Sequence, residues 1–299
     1  NNISCGVPQG SILGPLLFLC YVNDMPISVD CKLLLYADDS ALMFSGKDPT
    51  IIANKLSREL ESCQQWMTDN KLSLHLGKTE AILFGTKRKL KCANEFLVTC
   101  NGNTITCSSS VKYLGVTLDS CLSGDSIASN IVKKANGRLK FLYRHQDCLN
   151  MKARKTLCSA LIMCYFDYAC SSWYSGLSQK FKKQLQVIQN KTVRFILGVG
   201  PRTHIGQDEL NQVRMLNIQD RVAQLKLNHV FKFFNNTSPE YFKSNFTRVS
   251  SFHNYSTRGS PFNFIVPHSK THSSFTFCNT AIHHWNSLPN NIKATSNSN

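Results

Sequence analysis

Residues 32–44 read Lys32-Leu33-Leu34-Leu35-Tyr36-Ala37-Asp38-Asp39-Ser40-Ala41-Leu42-Met43-Phe44. Two apolar runs flank an adjacent pair of acids. The pattern predicts strand, tight turn, strand, with the apolar flanks buried on both sides. Asp38-Asp39 is expected at the turn, because Asp tolerates the backbone angles that tight turns need. Two carboxylates held side by side repel unless a cation lies between them. Mg²⁺ takes oxygen ligands and needs only a few carboxylates plus substrate phosphates. An Asp pair in a turn is by itself a weak signal, since most such pairs are plain solvated turns, so the setting carries the weight.

Upstream, Gly6-Val7-Pro8-Gln9-Gly10-Ser11 is a loop rich in Gly and Pro. It is not a P-loop, because Gly-Lys-Ser/Thr is missing from the required place. Leu13 to Val22 is apolar almost throughout and ends at Asn23-Asp24-Met25-Pro26. That predicts a short buried helix stopped before a proline. Downstream, Asp48-Pro49 opens a helix on which Ile52, Leu56, Leu60 and Cys63 recur down to Trp66. Leu72 to Leu76 alternates like a strand, Ala81 to Phe84 reads as a second strand, and Val111 to Leu118 as a third. Residues 86–110 are polar and mixed in texture.

The net charge of +16 is divided unevenly. Residues 1–120 hold 11 basic and 11 acidic side chains, and residues 121–299 hold 23 and 7. A neutral part joined to a basic part suggests chemistry in the first and polyanion binding in the second. The basic part is helical in texture. Over 131–144, Ile131, Ala135, Leu139 and Leu142 mark one face, while Lys133, Lys140 and Arg144 fall on the other. Over 178–197, Phe181, Leu185, Ile188 and Ile196 oppose Lys180, Lys183, Lys191 and Arg194. These basic faces are nearly free of acid, unlike an ordinary salt-bridged face, which favours contact with nucleic-acid phosphates over plain solvation. The apolar run from about 152 to 174 is the expected core between them, and a further helix spans roughly 218–235. The last sixty residues show no clear period.

Thirteen Cys are present, none in a Cys-x-x-Cys spacing. The odd count, with no signal peptide, argues against a disulfide framework. Cys20, Cys158 and Cys164 read as small core residues, and Trp66 and Trp173 as core rather than base-stacking platforms. Residues 157–174 come nearest to a membrane span, but Asp167 and serines interrupt them. His268, His272, Cys278, His283 and His284 fit no closed zinc spacing. The chain starts without Met and ends in a Ser/Asn run, the texture of a fragment.

Four segments together resemble the reverse transcriptases of non-LTR (LINE-type, jockey/CR1-like) retrotransposons. The Gly6–Ser11 loop, with Leu13-Gly14-Pro15-Leu16-Leu17-Phe18 and Tyr21-Val22-Asn23-Asp24, resembles their motif B. Tyr36-Ala37-Asp38-Asp39 resembles motif C. Leu72-Ser73-Leu74 with Lys78-Thr79-Glu80 resembles motif D, and Tyr113 to Asp119 resembles the primer-grip segment. Order and spacing also follow the family. Past residue 120 the likeness is patchier: Ile188-Gln189-Asn190-Lys191, Thr257-Arg258 and Trp285-Asn286-Ser287-Leu288-Pro289 carry it.

The resemblance implies roles for particular residues. Asp38 would be the firmer metal ligand and Asp39 the looser. Gly6, Pro8, Gln9, Gly10 and Ser11 would form the loop beside template and nucleotide, with Tyr36 near the primer terminus. Lys78 would lie near the triphosphate and protonate the pyrophosphate. Leu114 and Gly115 would hold the primer end. His75 departs from the family's usual Asn. The family's first catalytic Asp belongs to motif A, upstream of motif B, and no Asp earlier than Asp24 stands in this chain.

The expected fold is α/β: a partial polymerase palm at 1–120, a basic α-helical thumb at 121–235, and an irregular tail at 236–299 whose fold the sequence leaves open. The expected function is RNA-directed DNA synthesis from an RNA template, a DNA primer and dNTP, with two Mg²⁺ ions and Mn²⁺ as the alternative. Without motif A the fragment is expected to be inactive alone. The alternatives are a dead relic that still binds nucleic acid, and a template-independent or DNA-dependent polymerase. The family implies action in the nucleus or cytoplasm.

Overall fold

A computed structural model describes residues 6, 10–91, 96–234, 240–251, 260–268 and 276–295. The chain divides into two compact units. One is Asn1–Val111 with Asp119–Cys121; the other is Lys112–Leu118 with Leu122–Asn299.

The first unit opens with helix α1 (Gly14–Val22), followed by strands β1 (Lys32–Tyr36) and β2 (Asp39–Met43). Helix α2 (Pro49–Asp69) comes next, with Pro49 in its first turn and the Asp48 carboxylate accepting the Thr50 N–H at 2.8 Å. Short elements follow: β3 (Glu80–Ala81), α3 (Lys87–Lys91), β4 (Thr99–Cys100), β5 (Asn103–Thr104) and β6 (Thr106–Cys107). β4 and β5 form a hairpin, and β3 pairs with β6 in parallel. Ala53, Leu60, Val98, Cys100 and Ile105 make the core under α2. The polar edge of α2 is stitched to the β4–β5 hairpin. Ser57 Oγ accepts the Thr99 N–H at 2.9 Å, and the Glu61 carboxylate accepts the Asn101 N–H at 3.1 Å.

The chain crosses between the units in β7 (Ser110–Tyr113) and β8 (Val116–Asp119), which pair with each other. The second unit is helical: α4 (Asp125–Arg144), α5 (Met151–Cys158), α6 (Cys164–Asp167), α7 (Cys170–Trp173) and α8 (Gln179–Leu197). A π-helical turn, Ser159–Met163, joins α5 to α6. Then come α9 (Gln207–Gln212), α10 (Ile218–Phe234), α11 (Phe277–Asn286) and α12 (Asn290–Thr295). α4 and α8 run parallel. Ser178, just before α8, donates to the Asp125 carboxylate at the start of α4, while Tyr143 near the end of α4 packs edge-on against Phe195. Gly124 begins α4 at φ +74; a Cβ there would stand 2.8 Å from the Trp173 carbonyl oxygen, so the close approach needs glycine.

The run expected as core is core: Cys158, Ile162, Met163, Phe166, Cys170 and Trp173 are buried with Leu185, Ile188 and Ile196 of α8. Trp66 is half-buried. Part of the tail, left open by the sequence, packs a second apolar cluster, in which Phe246, Phe264, Ala281, Ile282 and Trp285 meet Val230 and Phe233 of α10. Thr257, Arg258 and His272 lie outside the described residues.

Several expectations are corrected. α1 forms, but it is apolar all round and only Gly14 and Val22 are buried among the described residues; Leu16 remains 58% exposed. Residues 72–75 form no strand. Lys71 takes φ +56, and Leu74 and Leu76 pack under α2 without a ladder partner, so alternation there served packing alone. The strand expected at 81–84 is only Glu80–Ala81. The strand expected at 111–118 is two strands, folded back at Leu114-Gly115. Cys20 and Cys164 are exposed, whereas Cys158 is buried as expected. Burial pushes the Cys158 thiol up to about 12, and those of Cys63 and Cys170 to about 11, so these are protonated packing groups. No helix among the described residues is long and apolar enough to cross a membrane.

Candidate functional site

The β1–β2 ladder has five rungs, from Lys32 opposite Met43 to Tyr36 opposite Asp39. The turn is therefore Ala37-Asp38, not Asp38-Asp39. Ala37 takes φ +52 and Asp38 does not take a positive φ, the sign pattern of a type II′ hairpin turn. Asp39 belongs to β2, where its backbone is held by pairing with Tyr36. The correction has a simple cause: tight pairing leaves room for two loop residues, and the ladder claims Asp39.

Facing residues of an antiparallel pair share a side of the sheet. Leu33, Leu35, Ser40 and Leu42 lie on one side, and Leu42 packs against the core under α2. Lys32, Leu34, Tyr36, Asp39, Ala41 and Met43 lie on the other. That second side is open: Tyr36 is 65% exposed and Met43 49%. The expectation that both flanks would be buried is thus half wrong, since Lys32, Leu34, Tyr36, Asp39 and Met43 on this side are exposed and only Ala41 is partly buried.

Asp38 and Asp39 are both exposed, and neither carboxylate has a hydrogen-bond or ion-pair partner among the described residues. Two adjacent, unpaired, hard-oxygen donors on a rigid hairpin end suit a divalent cation such as Mg²⁺. No group of three or more potential ligands forms among the described residues, at the hairpin or near His268, Cys278, His283 and His284.

The other expected residues are placed as follows. Gly6 and Gly10 take φ +81 and +84, and Ser11 Oγ accepts the Gly14 N–H at 3.1 Å, at the start of α1. Pro8 and Gln9 lie outside the described residues. Lys78 is exposed at the end of a 3₁₀ turn, Leu76–Lys78, and makes no ion pair with either Asp. Leu114 and Gly115 are the two turn residues of the β7–β8 hairpin, at φ +46 and +79, the type I′ pattern. Glycine is at ease there; leucine is not, at a cost of about 1–2 kcal/mol that neighbouring contacts must offset.

Of the basic faces, Lys133, Lys140 and Arg144 on α4 and Lys180, Lys183 and Lys191 on α8 are exposed. Tyr143 donates to the Lys191 carbonyl oxygen at 3.3 Å, which ties the later parts of the two parallel helices together. Arg194 differs: it is half-buried, and its Nε donates to the Thr203 carbonyl oxygen at 2.7 Å. Lys134 and Arg138 are also exposed on α4; helical spacing from Lys133 would have found them.

The sequence model of the family described as "Reverse transcriptase (RNA-dependent DNA polymerase)" matches residues 1–118. Among curated relatives, the RNA-directed DNA polymerase from mobile element jockey of Drosophila melanogaster is 27% identical over 207 residues, covering 66% of this chain and 22% of the relative. The probable RNA-directed DNA polymerase from transposon X-element of the same fly is 26% identical, with the same two coverages. A Pol polyprotein from type-1 retrotransposable element R1 of Nasonia vitripennis is 25% identical, covering 60% of this chain and 56% of the relative. The chain thus spans 22% of the length of the first two, and the likeness runs past the 118 residues of the domain match into the helical unit. On these matches, residues 1–118 are similar to the reverse transcriptase family, and two thirds of the chain is similar to the RNA-directed DNA polymerases of mobile elements.

Proposed function

We propose that this chain contributes the carboxylate turn and the nucleic-acid-binding helices of an RNA-directed DNA polymerase that joins dNTP to a primer 3′-OH on an RNA template. The observation that carries the reading is the pair Asp38 and Asp39, adjacent, exposed and unpartnered at the end of a five-rung hairpin, within the reverse transcriptase match. When bound there, two Mg²⁺ ions would stabilise the attacking and leaving oxygens of an in-line displacement at phosphorus. The chain's own part is positional. The ladder fixes Asp39, the turn carries Asp38 beyond it, and Tyr36 shares the face of Asp39, where a primer terminus would lie. The Gly6–Ser11 loop lies beside template and nucleotide in this reading, Lys78 protonates the departing pyrophosphate, and the Leu114-Gly115 turn holds the primer end. Lys133, Lys140, Arg144, Lys180, Lys183 and Lys191 neutralise phosphates along the duplex.

A second reading is a nucleic-acid-binding chain without catalysis. It is favoured by the absence of any third ligand near Asp38 and Asp39 among the described residues. Primer extension with RNA template, dNTP and Mg²⁺ separates the two. The chain alone is expected to bind primer-template and extend it poorly. Joined to a polymerase segment that supplies a further carboxylate, it is expected to extend, and to stop doing so when Asp38 and Asp39 are replaced by Ala. Extension that survives both replacements rules out the metal assignment.

A further inference from the structure

The two turn residues of the β7–β8 hairpin are touched by one side chain from the helical unit. Tyr168, 54 residues along the chain, donates its phenol O–H to the Leu114 carbonyl oxygen at 2.5 Å. Its ring also lies over the neighbouring Gly115: a Cβ added there would stand 3.3 Å from the ring edge and 3.4 Å from the phenol oxygen. Any residue larger than glycine would push against this ring, and would do so at φ +79.

Tyr168 is itself braced. It follows the last residue of α6, Asp167, whose two carboxylate oxygens accept from Arg221 of α10 at 3.1 and 2.9 Å, a two-point bond with fixed geometry. The buried Trp173 indole N–H donates to the Tyr168 carbonyl oxygen at 3.0 Å. Ala169, next along, takes φ +49 and turns the chain into α7. Tyr168 is 55% exposed, so burial explains little of its placement; the phenol bond and the Gly115 contact hold it. The result is a rigid strut from the helical bundle to a turn whose leucine is in an unfavourable backbone conformation.

We propose that Tyr168 is a positioning residue that sets the orientation of the Leu114-Gly115 turn and, through it, of the primer end. This rests on the reading that the turn holds the primer. The test uses the full polymerase carrying this chain and measures single-turnover nucleotide incorporation, primer-template affinity and melting temperature. Tyr168→Phe keeps the ring on Gly115 and removes one hydrogen bond. It is expected to slow incorporation about 3- to 10-fold, the range for one net hydrogen bond, with primer-template affinity unchanged and melting lowered by no more than that one bond. Gly115→Ala, which disturbs the turn directly, is expected to slow it at least as much. If Gly115→Ala slows incorporation and Tyr168→Phe does not, the strut is refuted and the primer-end reading survives. If neither slows it, the primer-end reading fails and takes the strut with it. If Tyr168→Phe lowers the melting temperature and affinity as much as the rate, Tyr168 is a structural tie only and the proposal is overturned.

Discussion

Tyr36 and Asp39 face each other on the last rung of the β1–β2 ladder, which leaves Ala37 and Asp38 as the turn and places Tyr36 and Asp39 on the same open face. The two acids therefore differ in support: Asp39 is anchored by the strand and Asp38 stands at the tip. In the polymerase that joins this chain to a segment supplying a further carboxylate, replacing either by Ala is expected to lower primer extension at least about 100-fold, since even groups that only support metal ligands are worth about 10–100-fold. Circular dichroism should show no loss of fold, because both side chains are exposed and unpaired. Activity within a few-fold of the parent would refute the assignment.

Ala37 takes φ +52, where a Cβ is unfavourable. Ala37→Gly is expected to leave the hairpin intact and to raise stability by up to about 1 kcal/mol, read as a higher melting temperature. A lower melting temperature would show that the turn does not have this conformation in solution.

The exposed lysines and the half-buried Arg194 are expected to behave differently. Removing Lys133, Lys140 or Lys183 should weaken primer-template binding at all sequences and lower the slope of log affinity against log salt by about 1 each. Arg194→Ala should instead lower the melting temperature, because it strips the Thr203 carbonyl of its donor. A flat salt response for the lysine variants would remove the phosphate-contact reading.

Lys226 of α10 is 1% exposed, and its Nζ donates to Ser175 Oγ at 2.5 Å and Thr280 Oγ1 at 2.6 Å. Burial, with nearby Lys182 adding to it, pushes its pKa down to about 8, although Cys170 acts the other way. Below that pH the lysine is charged in both folded and unfolded chains, so folding carries the full desolvation cost, about 3 kcal/mol. Between about 8 and the ordinary value of 10.5 only the unfolded chain holds the proton, so stability should rise with pH across that window. Denaturant titrations at pH 7 to 10 measure it. Lys226→Met should be more stable at pH 7 and should lose much of the rise. Burial also holds His229 and His284 below the ordinary histidine value, so their contribution is lost as pH falls through about 6.5.

Much of this was legible in the residues. The period of Ile131, Ala135, Leu139 and Leu142 predicted the buried face of α4, and that of Leu185, Ile188 and Ile196 the buried face of α8, because an amphipathic helix writes its orientation into its spacing. Asp48-Pro49 announced the start of α2 by local chemistry alone. The β4–β5 hairpin was missed, although its turn is Asn101-Gly102, at φ +48 and +78, a local signal for a type I′ turn. Leu72 to Leu76 misled because alternation reports only which side chains are apolar, not whether a neighbouring strand exists to pair with.

By itself, then, the sequence determined the acid pair between two apolar runs, the basic amphipathic helices and the resemblance to LINE-type reverse transcriptases, since each is written in neighbouring or helically spaced residues. Tertiary structure alone decided that the ladder takes Asp39 and leaves Asp38 in the turn, that one face of the hairpin stays open, and that Arg194 is tied to Thr203. It also brought Tyr168 to Leu114 and sealed Lys226 between Ser175 and Thr280, pairs more than fifty residues apart. Such contacts depend on how whole elements pack, and no local period records them.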